Sequence, residues 1–219
     1  MDEEHTHESV GHKSFTRRVV IAAGLTAGLS LAGFFAKPLL VRKDILRPPG
    51  SVQEDEFLAR CIRCYRCVSA CPTDVLEPVP LAAGLFALRT PQITFDEGAC
   101  TFCDLCRKVC PTEAIGYSDP YDVSKGRIGV ARVYRERCLA YRNGSCRRCI
   151  DECPYDAIIA DEGGRPVVDD FVCNGCGLCE KICPATVWSS FAGDRRRGIE
   201  VVNEQSFSGE YNADSVEAT

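Results

Sequence analysis

Residues 100–111 read CTFCDLCRKVCP: four cysteines spaced C-x-x-C-x-x-C-x-x-x-C and closed by a proline. The same register stands at residues 61–72, CIRCYRCVSACP, and at residues 173–184, CNGCGLCEKICP. A fourth copy, at residues 138–154, keeps its last three cysteines and its proline but stretches the first gap from Leu139 to Ser145. The groups are Cys61, Cys64, Cys67 and Cys71; Cys100, Cys103, Cys106 and Cys110; Cys138, Cys146, Cys149 and Cys153; and Cys173, Cys176, Cys179 and Cys183. Together they use all 16 cysteines of the 219-residue chain, and Pro72, Pro111, Pro154 and Pro184 follow them. So many cysteines leave a thin apolar complement for a core, and staples of another kind must help hold the fold.

Two-residue gaps let a chain curl around an iron–sulfur cube so that three successive thiolates reach three irons, while the fourth reaches a second cube. This is the ligand run of bacterial ferredoxins. Backbone N–H groups in such loops point at sulfur and tune its potential. Proline after the fourth cysteine fixes φ and offers no N–H, which suits a ligand leaving one loop for another element. Gly175 and Gly177 permit tight turns in the last group. The sixteen cysteines are therefore the expected iron ligands of four [4Fe–4S] clusters. Disulfides and zinc are the rival chemistries. Neither gives a reason for four copies of one register ending in Cys-Pro.

Lys and Arg number 26 against 31 Asp and Glu, and 26% of residues are charged, for a net charge of −5. This balance, with no low-complexity run, argues against disorder, a collagen or coiled coil, a multi-span membrane protein and a nucleic-acid binder. His5, His7 and His12 all precede residue 14, which leaves the rest of the chain without a histidine for acid–base work. No C-x-x-C-H haem site, G-x-G-x-x-G run or phosphate loop is present. The composition reads as an electron carrier with no catalytic site of its own; the second class is a maturation factor for a periplasmic metalloenzyme. Each oxidised cube adds a charge of about −2. Arg63, Arg66, Arg147, Arg148 and the run Arg195-Arg196-Arg197 either offset that charge or are solvated. Tyr65 reads as a lid over a cube and Trp188 as packing.

Ser14-Phe15-Thr16-Arg17-Arg18 leads into an apolar run from Val19 to Ala36, the pattern of a twin-arginine export signal. A membrane anchor of minimal length is the alternative. Cubes are inserted in the reducing cytoplasm, so a protein that needs them outside must cross the membrane folded, by the twin-arginine export machinery. The expected location is the periplasm, free or anchored to the outer face of the cytoplasmic membrane. The expected organisation is a signal or anchor over 1–36, a Pro-rich linker and short helix over 37–60, a first ferredoxin module over 61–128, a second over 129–202, and a flexible acidic tail over 203–219.

The fold class is α+β: two tandem, loop-rich bacterial-type 2[4Fe–4S] ferredoxin modules. A helix is expected over Gln53–Arg60, with strands at Gln92–Asp96, Gly129–Tyr134 and Val167–Asp170 and after the groups at Val75-Leu76, Ala114-Ile115, Ala157–Ile159 and Thr186-Val187. Between Cys153 and Cys173, Ile158-Ile159-Ala160, Glu162-Gly163-Gly164 and Val167-Val168 make a compact hairpin. That favours pairing group one with two and three with four, so that each cube takes three cysteines of one group and the last of its partner. A nested pairing, one with four and two with three, is the rival.

The twin-arginine leader, Arg47-Pro48-Pro49-Gly50, Glu56-Phe57-Leu58 running into Cys61-Ile62-Arg63-Cys64, and the stretched third group resemble the MauM/NapG family of ferredoxin-type proteins. The resemblance runs from Thr16 to about Val202. It implies an exported protein with four [4Fe–4S] clusters, working beside a membrane-bound ferredoxin-like quinol-oxidising partner and passing electrons toward a periplasmic reductase or cytochrome, in methylamine utilisation or nitrate reduction. The regular second gap of group two departs from the nitrate-reductase branch and tilts the reading toward the methylamine branch or another relative.

Overall fold

Each cysteine group closes into a single helical turn in the computed structural model, which describes residues 45–122, 126–185 and 196–203. Helix α1 spans Glu54–Arg60; the turns are α2, Arg66–Ser69, α3, Leu105–Lys108, α5, Arg148–Asp151, and α6, Leu178–Lys181. Each begins two residues after the second cysteine of its group and carries the third, so one local rule is used four times. The stretched gap of group three forms an extra helix, α4, Leu139–Asn143, stopped by Gly144 in the left-handed conformation at φ 73.

Strands are short and pair only two at a time. β1, Leu76–Pro78, lies antiparallel to β2, Pro91–Ile93, with Leu76 opposite Ile93. β3, Val130–Val133, pairs antiparallel with β6, Ile199–Val202, with Val130 opposite Val202. β4, Ile158–Ala160, and β5, Pro166–Val168, form the expected hairpin, Ile158 opposite Val168. Its turn is held by Asp161, whose Oδ1 accepts the N–H groups of Gly163 and Arg165. Short helices, three two-stranded sheets and long loops make the described residues α+β.

Two expectations change. Ala114-Ile115 is no strand: Ile115 makes one isolated bridge, to Ser51, while Val52 donates to the Ala114 carbonyl and Gly116 to that of Gly50. The Pro-rich stretch read as linker is packed from Ile45 onward. Arg47 forks onto Glu54 at 2.6 and 2.8 Å, donates to Thr90 Oγ1 and the Pro91 carbonyl, and lies 4.6 Å over the Phe57 ring. Such a bidentate pair, partly buried, fixes where the chain enters the first cysteine group.

One apolar cluster runs through both cysteine pairs, from Phe57 and Val75 through Phe95 and Phe102 to Val130, Ile158 and Ile199, and four of its buried members are Cys67, Cys173, Cys176 and Cys179. A second, small cluster gathers Ile45, Val79, Ala83 and Ala87 beneath the 3-10 turn Leu81–Ala83. Arg197, read in sequence as part of a solvated or charge-offsetting run, is buried. It donates to the Phe95 carbonyl and to Asp96, and lies 3.7 Å from Glu180, whose Oε2 accepts the Val201 N–H. Burial holds the Glu180 carboxyl up at about 7. The export signal and apolar run, Thr186-Val187, Trp188, Arg195 and the tail from 204 onward lie outside the described residues. Among the described residues no helix is long and apolar enough to cross a membrane.

Candidate metal centres

In groups one, two and four the residues flanking the second cysteine both have positive φ: Arg63 56° and Tyr65 61°, Phe102 52° and Asp104 61°, Gly175 76° and Gly177 79°. Such turns aim successive backbone N–H groups into one concavity, the arrangement that receives anionic groups. Only group four uses glycine, and there nothing else fits. A Cβ on Gly175 would stand 2.4 Å from the Gly129 carbonyl oxygen, and one on Gly177 would stand 2.0 Å from the Phe95 ring. The four non-glycine residues hold the same conformation at a cost of about 1 kcal/mol or more each, which a site must repay. Asp74, Glu113 and Asp156, three residues past the last cysteine of their groups, are left-handed too, at 52°, 54° and 53°.

These turns gather the cysteines into quartets. Cys61, Cys64, Cys67 and Cys110 line one cavity, and Cys71, Cys100, Cys103 and Cys106 line a second. Cys138, Cys146, Cys149 and Cys183 line a third, and Cys153, Cys173, Cys176 and Cys179 a fourth. Each quartet takes the first three cysteines of one group and the last of its partner. Group one is thus crossed with two, and three with four; the nested pairing does not occur. Tyr65 lines the first cavity.

Burial pushes the thiols of Cys67, Cys100 and Cys149 up to about 12 and those of Cys106 and Cys176 up to about 11, with repulsion from sulfurs of the same quartet adding to it. Burial, with repulsion from neighbouring sulfurs, also pushes the Cys179 thiol well up. Four thiolates cannot share such a pocket without cations among them. All sixteen are free thiols, and among the described residues no three or more Cys, His, Asp or Glu converge closely enough to hold a single metal ion. Sulfurs spread around a cavity, rather than onto a point, fit a polynuclear iron–sulfur core.

Donors to the sulfurs come both from within the cysteine loops, as expected, and from outside them. Phe102 N–H lies 3.5 Å from Cys100 Sγ, and Ala131 N–H, on β3, lies 3.5 Å from Cys173 Sγ. The Thr73 and Thr112 hydroxyls lie 3.6 and 3.7 Å from Cys71 and Cys110. The repeated Cys-Pro-Thr at 71–73 and 110–112 was the available signal for the threonines; Ala131 has none.

The quartets follow one another in a definite order. Cys67 feels Cys106, which joins the first quartet to the second; Cys179 feels Cys149, which joins the fourth to the third. Across the junction Cys100 N–H donates to the Cys176 carbonyl at 2.8 Å, and the Tyr155 phenol feels both Cys176 and Cys100. Tyr155 meets Phe102 edge-on at 6.3 Å and Tyr121 at 5.6 Å. The order is first, second, fourth, third. At the first end Cys64 is exposed.

Two stretches match 4Fe-4S dicluster domain families, residues 60–114 and residues 144–188, the second beginning after Cys138. Among curated proteins, the ferredoxin-type protein NapG of Escherichia coli is 36% identical over 79% of this chain and 81% of its own length. The methylamine utilization ferredoxin-type protein MauM of Methylorubrum extorquens is 38% identical over 78% of this chain and 86% of its own. The ferredoxin-type protein NapF of Escherichia coli is 35% identical over 64% of this chain and 81% of its own. Identities of 36% and 38% do not separate the nitrate and methylamine branches.

Proposed function

The chain belongs to the family of ferredoxin-type proteins that includes NapG and MauM, and from that premise we propose that it is a periplasmic relay carrying electrons between a membrane-bound quinol-oxidising partner and a periplasmic reductase or cytochrome. That it is an iron–sulfur electron-transfer protein with two 4Fe-4S dicluster domains follows from the family and domain matches. The finer reading assigns one [4Fe–4S] cluster to each quartet, with all sixteen cysteines as ligands. Its main support is the continuous series of four cysteine-lined cavities, joined at Cys67 with Cys106, Cys100 with Cys176 and Cys149 with Cys179.

Bound there, each cluster supplies one-electron storage and nothing else. The chain's own residues do the rest. The cysteines hold the spacing; Ala131, Phe102, Thr73 and Thr112 set donors beside sulfur, and Phe102 and Tyr155 pack edge-on at the junction. Export rests on Thr16-Arg17-Arg18 and the apolar run that follows. In cells, deleting the gene should stop electron flow from quinol to the periplasmic acceptor, and supplying it late, after the acceptor enzyme is mature, should restore flow. Flow that no longer needs the chain once that enzyme is mature would instead mark a maturation factor. Clusters found in the cytoplasmic fraction would contradict the location.

A further inference from the structure

The first quartet ends the series, and exposed apolar side chains stand beside it together with arginines. Ile62, in the first cysteine loop, is 62% exposed; Leu81, Leu85 and Phe86, on the segment between β1 and β2, are 64%, 48% and 66% exposed. That segment is tied to the cysteine loop. Arg63 donates from Nε to the Leu88 carbonyl at 3.0 Å and from Nη2 to the Phe86 carbonyl at 3.1 Å, and Arg89 donates to the Tyr65 hydroxyl while its guanidinium lies 5.4 Å from that ring. Exposed Arg63 and Arg66 therefore line the first cavity with Ile62 and the exposed Cys64, and Arg89, Leu81, Leu85 and Phe86 lie on the segment tied to that loop.

We propose that this surface docks an acidic redox protein, whose carboxylates meet the three arginines around an apolar centre and whose own redox group then faces Cys64. The inference rests on the relay reading above and adds where the relay is entered or left, and by what kind of partner. The chain as a whole carries a net charge of −5, made more negative by bound clusters. A basic patch at one end of such a molecule orients it toward an acidic partner during encounter. A few apolar side chains inside a charged rim suit the small, transient interfaces of electron-transfer pairs. A second copy of the chain would set the same arginines against each other. An anionic bilayer would satisfy arginine and apolar groups alike but would offer the first quartet no redox group.

The test uses the full, cluster-loaded chain, reduced with dithionite and mixed in stopped flow with an acidic c-type cytochrome, and in parallel with a basic one. One electron leaves the chain for each ferric haem, which becomes ferrous. With the acidic cytochrome the rate constant should fall as ionic strength rises, and Arg66→Glu should lower it by about tenfold at low ionic strength. Phe86→Ser should lower it at every ionic strength, and the basic cytochrome should show no such losses. Iron content and the reduced-state EPR signal, taken on each variant, show whether the clusters remain. A chain purified without reducible clusters overturns the relay reading and this proposal with it. Intact clusters with unchanged rates in both variants overturn the docking surface alone. So does flotation with phosphatidylglycerol vesicles, or dimerisation, that Phe86→Ser abolishes, since either gives the patch another occupant.

Discussion

Cys179 and Cys183 stand four residues apart across one helical turn, yet they line different cavities, Cys179 with Cys153, Cys173 and Cys176, and Cys183 with Cys138, Cys146 and Cys149. Replacing either by serine should cost one cluster, leaving about twelve of sixteen iron atoms, and the two variants should lose different EPR components. Loss of the same component from both would break the crossed pairing. The sequence favoured this crossing, through the short hairpin between Cys153 and Cys173, but left the nested pairing open; the cavities decide between them. The left-handed pairs were half readable. Gly175 and Gly177 announce theirs; Arg63, Tyr65 and Phe102 adopt the same φ with side chains that ordinarily avoid it, and Asp104 with one that tolerates it. Local preference is overruled there by the need to bring three sulfurs to one cavity.

Among the elements, β6 and α6 meet a side chain that the sequence left open between offsetting cluster charge and solvent. Arg197 follows two other arginines in sequence, and here it reaches the Phe95 carbonyl and Asp96 of the first cysteine pair and approaches Glu180 of the last. Arg197→Ala leaves the Phe95 carbonyl without its donor and the buried Glu180 carboxyl without its cation, so that it protonates more readily, and should cost about 1–2 kcal/mol, seen as a lower midpoint in anaerobic thermal unfolding. A midpoint equal to that of the parent would mean the contact is incidental. The strand expected at Ala114-Ile115 does not form, for a similar cause. Its apolar pattern was correct, since both residues are buried, but the partner that arrives is the irregular stretch around Ser51, which supplies one bridge and no ladder. Long-range partners of this kind leave no periodicity to read.

For the molecule as a whole, the core and the sites are made of the same atoms. Cysteines from all four groups belong to the main apolar cluster or pack against it, and the raised thiols of Cys67, Cys100, Cys149 and Cys179 mean that its centre tolerates sulfur charge only with cations present. Metal binding and folding are then one equilibrium. Anaerobic removal of iron by a chelator should abolish the cooperative unfolding transition and the far-ultraviolet signature of the short helices together; a chain that keeps both would have a core independent of its clusters. The decisive measurement is the iron and acid-labile sulfide content of the anaerobically purified chain, with Mössbauer spectra to identify the iron. The account predicts about sixteen of each per chain, all as [4Fe–4S]. Zinc in the quartets, or cysteines oxidised to disulfides in properly matured protein, would contradict it.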